Sequence, residues 1–95
     1  MTLKSASGLE PAKYKIAIPN NMGKMSIKYE FYSNVDRILV YYDEKMIYDS
    51  GFVSGYNQVF RNINGDSYYV TVVIIPSPSA VTAWDFKIGC PYMKW

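Results

Sequence analysis

From Lys13 the apolar side chains alternate with polar or small ones: Tyr14, Ile16 and Ile18 fall on one side and Lys13, Lys15 and Ala17 on the other, up to a break at Pro19–Gly23. Successive side chains of a strand point to opposite faces, so this pattern predicts a half-buried strand followed by a turn. The next segment is the clearest strand in the chain. Between Lys24 and Tyr32 it sets Met25, Ile27, Tyr29 and Phe31 against Lys24, Ser26, Lys28, Glu30 and Tyr32. The run Arg37–Tyr42 is β-branched and aromatic, and Asp43, Glu44 and Lys45 separate it from Met46–Asp49. A hairpin with a three-residue connection is expected there, although such loops favour Gly where this one offers Glu or Lys.

Gly51 and Gly55 bracket Phe52 and Val53, and Gln58–Arg61 runs into an Asn64-Gly65 reversal. The stretch Tyr68–Ile75 is apolar almost throughout and reads as a central strand covered on both faces, ended by Pro76 and Pro78. The last strand is expected to set Thr82, Trp84, Phe86 and Ile88 on one face and Ala83, Asp85 and Lys87 on the other.

No helical spacing of three and four recurs anywhere. Seven or eight short strands follow one another at intervals of about 8 to 12 residues, as in sandwiches and barrels. The expected fold class is all-β, a single antiparallel β-sandwich of jelly-roll type. Its domain spans residues 13–90, with a flexible arm over 1–12, where no periodicity is present, and an aromatic tail over 91–95. Ninety-five residues suffice for one such domain.

Composition then removes several functions. The chain has no His and one Cys, so histidine-based triads, most zinc, copper and iron sites and internal disulfides are excluded. No Gly-x-Ser-x-Gly motif provides a nucleophile, and the expectation is that the protein is not an enzyme and needs no cofactor. A net charge of +2 is too small to mark a nucleic-acid binder. No apolar run reaches the roughly 20 residues of a membrane helix, and the first ten residues do not read as a signal peptide. Synthesis in the cytoplasm without membrane association is therefore expected, with a virion as one destination.

Tyrosine is the most informative surplus, with ten among the 95 residues. Tyr29, Phe31, Trp84 and Phe86 belong to the expected core. Tyr32, Tyr41, Tyr48, Tyr56 and Tyr68 are not all needed there, and each offers a rigid apolar face with a hydroxyl for a partner or ligand. At the C-terminus Tyr92, Met93 and Trp95 add apolar surface that calls for a neighbour, either the domain itself or another subunit. Calcium is the one metal whose oxygen ligands this composition supplies, and Asp43, Glu44, Asp49 and Asp66 are weak candidates in or beside turns. A solvated turn carboxylate is the simpler reading of each, and Cys90 reads as a small buried hydrophobe.

Five pieces resemble bacterial pre-peptidase C-terminal and proprotein-convertase P-type accessory domains: Ile38–Asp43, Ile47–Gly51, Tyr69–Ile75, Thr82–Phe86 and Cys90-Pro91. The resemblance implies a non-catalytic β-sandwich that binds, covers or stabilises something else. Here Cys90 lacks a partner, and no attached enzyme or secretion signal is visible. In size and build the chain is also similar to small structural proteins of bacteriophages, capsid decoration or tail-associated. The leading expectation is accordingly a structural or interaction protein acting by protein contacts, as a homo-oligomer or within a larger assembly such as a virion. A carbohydrate-binding or adhesion module is the alternative, and a small inhibitor of a host enzyme is a third.

Overall fold

The structure is a computed structural model that describes residues 2–8, 11–77 and 82–92, with side chains described over 11–77 and 83–89. Eight strands follow in order: β1 (Thr2–Gly8), β2 (Ala12–Ala17), β3 (Met22–Glu30), β4 (Arg37–Tyr42), β5 (Lys45–Asp49), β6 (Tyr56–Asn64), β7 (Tyr69–Ile75) and β8 (Thr82–Tyr92), with no helix among the described residues. They form two four-stranded sheets, ordered β1-β8-β3-β6 and β2-β7-β4-β5. Every strand pair is antiparallel.

The alternation read in the sequence is what brings the sheets together. Met25, Ile27, Tyr29, Ile63, Trp84, Phe86 and Ile88 of the first sheet meet Ile16, Ile38, Val40, Tyr42, Val70, Val72 and Ile74 of the second in one buried cluster. The rings of Tyr14 on β2 and Phe86 on β8 lie 5.1 Å apart across the interface. At the far edge Arg61 of β6 donates from Nε to the Ile47 carbonyl of β5 at 3.1 Å, and its guanidinium lies 5.0 Å from the Tyr48 ring. The two sheets thus face each other across a shared apolar layer, as a β-sandwich requires.

Four expectations change. Within the supposed arm of residues 1–12, Thr2–Gly8 is a strand, paired with β8 from Thr2 opposite Ile88 to Gly8 opposite Thr82. Edge pairing is made by backbone amides and carbonyls, so it need leave no apolar period in the sequence. The supposed tail begins inside β8, which continues to Tyr92. There the register slips by one residue, from Ser26 opposite Gly89 to Lys24 opposite Tyr92, and Pro91 fits such a bulge because it has no amide to donate.

The β4–β5 connection has two residues, not three, because Tyr42 pairs directly with Lys45. Asp43 and Glu44 both take positive φ, 52° and 66°, the left-handed pair that matches strand twist in a tight hairpin. Finally, β7 is central but covered on one face only. Val70, Val72 and Ile74 are buried, whereas Thr71, Val73 and Ile75 on the outer side are half-exposed and Tyr69 is exposed.

Candidate functional site

Two surfaces gather chemistry, one at each end of the strands. At the first, the chain leaving β3 reverses at Tyr32, whose φ is 59°. Four backbone hydrogen bonds zip the segment 31–36 to the segment 53–55: Phe31 N to Gly55 O, Gly55 N to Tyr32 O, Asp36 N to Val53 O and Val53 N to Asp36 O, all at 2.9 to 3.0 Å. The zipped loops hold Tyr32, Val35 and Phe52 outward, with relative exposures of 50%, 42% and 49%. The Tyr32 hydroxyl donates to the Asp85 carboxylate, which together with burial and the nearby charge raises the phenol's pKa. Below the loops Asp36 is fully buried; its Oδ1 accepts from Ser77 N at 3.0 Å, and its Oδ2 has no hydrogen-bond partner among the described residues.

The second surface is a trough of about 600 Å³ on the outer face of the second sheet, lined by Lys13, Tyr41, Asp43, Glu44, Asp66, Ser67, Tyr69, Thr71 and Val73. Its shape follows from register. Thr71 on central β7 sits between Lys15 of β2 and Tyr41 of β4, and Val73 sits between Lys13 and Leu39. Short side chains on the middle strand flanked by longer ones leave a hollow along β7.

The turns at 43–44 and 65–68 close one end of the trough. Tyr42 fixes them, its hydroxyl lying 3.0 Å from the Asn21 carbonyl and 2.9 Å from that of Ser67. Burial, with Asp43 nearby, raises the Tyr42 phenol's pKa. Asp43 Oδ2 accepts from Asp66 N at 3.4 Å, so the two turns abut. Gly65 permits this approach, since a Cβ there would come within 2.6 Å of Asp43 Oδ2. Lys15 Nζ covers the Tyr69 ring at 3.9 Å from its centroid.

The residues singled out from sequence are thus dispersed. Tyr41, Asp43, Glu44 and Asp66 come together at the trough. Tyr32 belongs to the zipped loops. Tyr56 is exposed beside a shallow hollow with Lys28, Glu30 and Lys87 on the opposite sheet, and Tyr68 is exposed at the foot of β7. Tyr48 turns between the sheets, with its hydroxyl 2.7 Å from that of Tyr29. Tyr92 closes β8 by its backbone; its side chain, Met93 and Trp95 lie outside the described residues. Asp49 is taken by Arg37 at 2.5 Å and so is no free calcium ligand. Among the described residues no group of three or more acidic, His or Cys side chains is arranged to hold a metal.

Sequence reasoning missed Lys13, Thr71 and Tyr69 as trough residues, and Val35 and Phe52 as exposed loop residues. The only signal was the outward half of β7's apolar run, which reads as burial until the neighbouring strands are known. No family model, curated protein or solved structure matches this chain. No helix among the described residues is long and apolar enough to cross a membrane.

Proposed function

We propose that this is a non-enzymatic jelly-roll module that works by contact with other protein chains, as a homo-oligomer or within a larger assembly of which a bacteriophage particle is one example. The strand order β1-β8-β3-β6 over β2-β7-β4-β5 supports the jelly-roll reading, because it winds two four-stranded halves around each other from the chain ends inward. That architecture serves capsid and lectin domains alike, so the order alone does not choose between them. The absence of histidine supports a non-catalytic role.

The observation that carries the contact reading is the zipped end. Tyr32, Val35 and Phe52 stand exposed on loops that four backbone hydrogen bonds tie together. Apolar and aromatic groups on a rigid mount lose little conformational entropy on docking, which is how anchors at protein interfaces act.

Light scattering tests this, with the full chain compared with the Val35→Ser/Phe52→Ser variant over a range of concentrations. The expected result is a mass that is a multiple of the 10.9 kDa chain, falling to one chain in the variant while circular dichroism stays unchanged. A full chain that stays monomeric up to about 1 mM overturns self-association.

A further inference from the structure

The trough on the second sheet lies away from the zipped loops, and its lining has a chemistry of its own. Three carboxylates, Asp43, Glu44 and Asp66, stand at its closed end. Among the described residues none of them forms an ion pair, and the one hydrogen bond from this group uses Asp43 Oδ2. Lys13 stands on the opposite flank and Lys15 beside Tyr69, so the face carries both signs of charge. Hydroxyls of Tyr41, Tyr69, Ser67 and Thr71 supply groups that both donate and accept. The floor at Thr71 and Val73 is half-exposed and shallow.

We infer that this trough binds a neutral oligosaccharide. A sugar ring is apolar on its C–H faces and polar around its rim, which matches an aromatic wall beside convergent acceptors and donors. Tyr41 provides the wall, since among the described residues no lysine lies over its ring, whereas Lys15 lies over that of Tyr69. Asp43, Glu44 and Asp66 accept from ring hydroxyls, and charge-assisted bonds of this kind are about twice as strong as neutral ones. Lys13 donates from the opposite side.

The balance of charge sets the class of ligand. Lysines on the flank oppose a basic peptide, and three carboxylates at the closed end oppose an acidic glycan or a phosphorylated one. The volume, about 600 Å³, is within the usual range for small-molecule sites, roughly 300–1,000 Å³. No metal is needed, because the hydroxyls are met directly by side chains.

The test is titration calorimetry of the full chain with short xylo-, cello-, manno- and malto-oligosaccharides, with hyaluronan fragments and an oligolysine peptide as comparison ligands. Binding of at least one neutral oligosaccharide is expected, unchanged by a calcium chelator. Tyr41→Ala and Asp66→Asn should each weaken it about tenfold or more, while Lys28→Gln on the opposite sheet leaves it unchanged. Both trough variants must keep the full chain's circular dichroism; if Tyr41→Ala does not, Asp66→Asn decides alone, since among the described residues the Asp66 carboxylate makes no hydrogen bond or ion pair. The inference is overturned by silence with all four neutral series, by binding confined to hyaluronan or oligolysine, by loss of binding with chelator, or by sugar binding that the trough variants leave intact. None of these outcomes bears on the protein-contact reading, whose test reads mass and a different set of residues.

Discussion

The Tyr29 and Tyr48 hydroxyls lie 2.7 Å apart and join the two sheets by their side chains, one from β3 and the other from β5. Asn57 Nδ2 donates to the Tyr29 oxygen at 3.2 Å, so the pair sits in a short polar chain at the edge of an otherwise apolar layer. Burial first, and then the Tyr29 hydroxyl, push the Tyr48 phenol up to about 12 from 10.0. The folded state therefore holds this proton more tightly than the unfolded chain does. Its contribution is complete below pH 10 and is lost as pH rises towards 12. Water at the half-buried ring screens much of this effect and keeps the loss to about 1 kcal/mol. Denaturant melts between pH 9 and 12 should show that decline. Tyr48→Phe should cost about 0.5–1.5 kcal/mol at pH 7 and make the decline shallower, the raised Tyr32 and Tyr42 phenols carrying what remains.

The acid side rests on Arg37 and Asp49. Arg37 Nε and Nη2 approach the Asp49 carboxylate at 2.8 and 2.5 Å, and the Gly51 amide donates to the same group at 2.9 Å. The arginine first, and then the amide, lower the Asp49 carboxyl to about 2 from 3.8. Stability from this pair is present above pH 4 and disappears as pH falls towards 2. Both side chains keep about a third of their surface in water, so the worth of the pair is about 0.5–1 kcal/mol. Asp49→Asn should lose that amount at pH 7, and its stability should vary less than the full chain's between pH 4 and 2.

Gly89 has no room for a side chain. A Cβ there would overlap Ser26 Oγ and come within 3.2 Å of Ser26 Cβ, because β3 and β8 pair at this position. Rotating the serine hydroxyl away leaves the second contact in place. Gly89→Ala should therefore cost about 1–3 kcal/mol, as overpacking does in a well-filled interior. Adding Ser26→Gly should raise the melting temperature above that of Gly89→Ala alone; a double variant no more stable than the single would show that Ser26 is not the obstacle.

The inward half of this fold was written in the alternation of residues. Period alone sets Met25, Ile27, Tyr29 and Phe31 on one face of their strand and Trp84, Phe86 and Ile88 on one face of theirs, and all are buried. What period does not encode is which strands become neighbours. Strand β1 has no alternation and is made by backbone pairing, and the outward side chains of β7 looked buried because they are apolar. Their half-exposure depends on Lys13, Lys15, Leu39 and Tyr41 arriving on either side, a matter of register between strands far apart in sequence. The trough was illegible for the same reason: Asp43 and Asp66 abut through the Gly65 turn, and nothing local in either segment foretells it.

Glu44 links stability to the trough. With φ at 66° it occupies a conformation that costs an L residue about 1–2 kcal/mol and costs Gly nothing, though Gly forfeits about 0.5–1 kcal/mol by its freedom in the unfolded chain. Its carboxylate makes no hydrogen bond or ion pair among the described residues that would offset this strain. Glu44→Gly should therefore stabilise the protein by up to about 1 kcal/mol, which for a domain of this size raises the melting temperature by roughly 4–8 °C. If the carboxylate serves a sugar hydroxyl, the same variant should bind the oligosaccharide more weakly, the trade of stability for function expected where a site holds a strained residue. A variant that melts higher and binds as well as the full chain would remove Glu44 from the site while leaving Tyr41 and Asp66 to carry it.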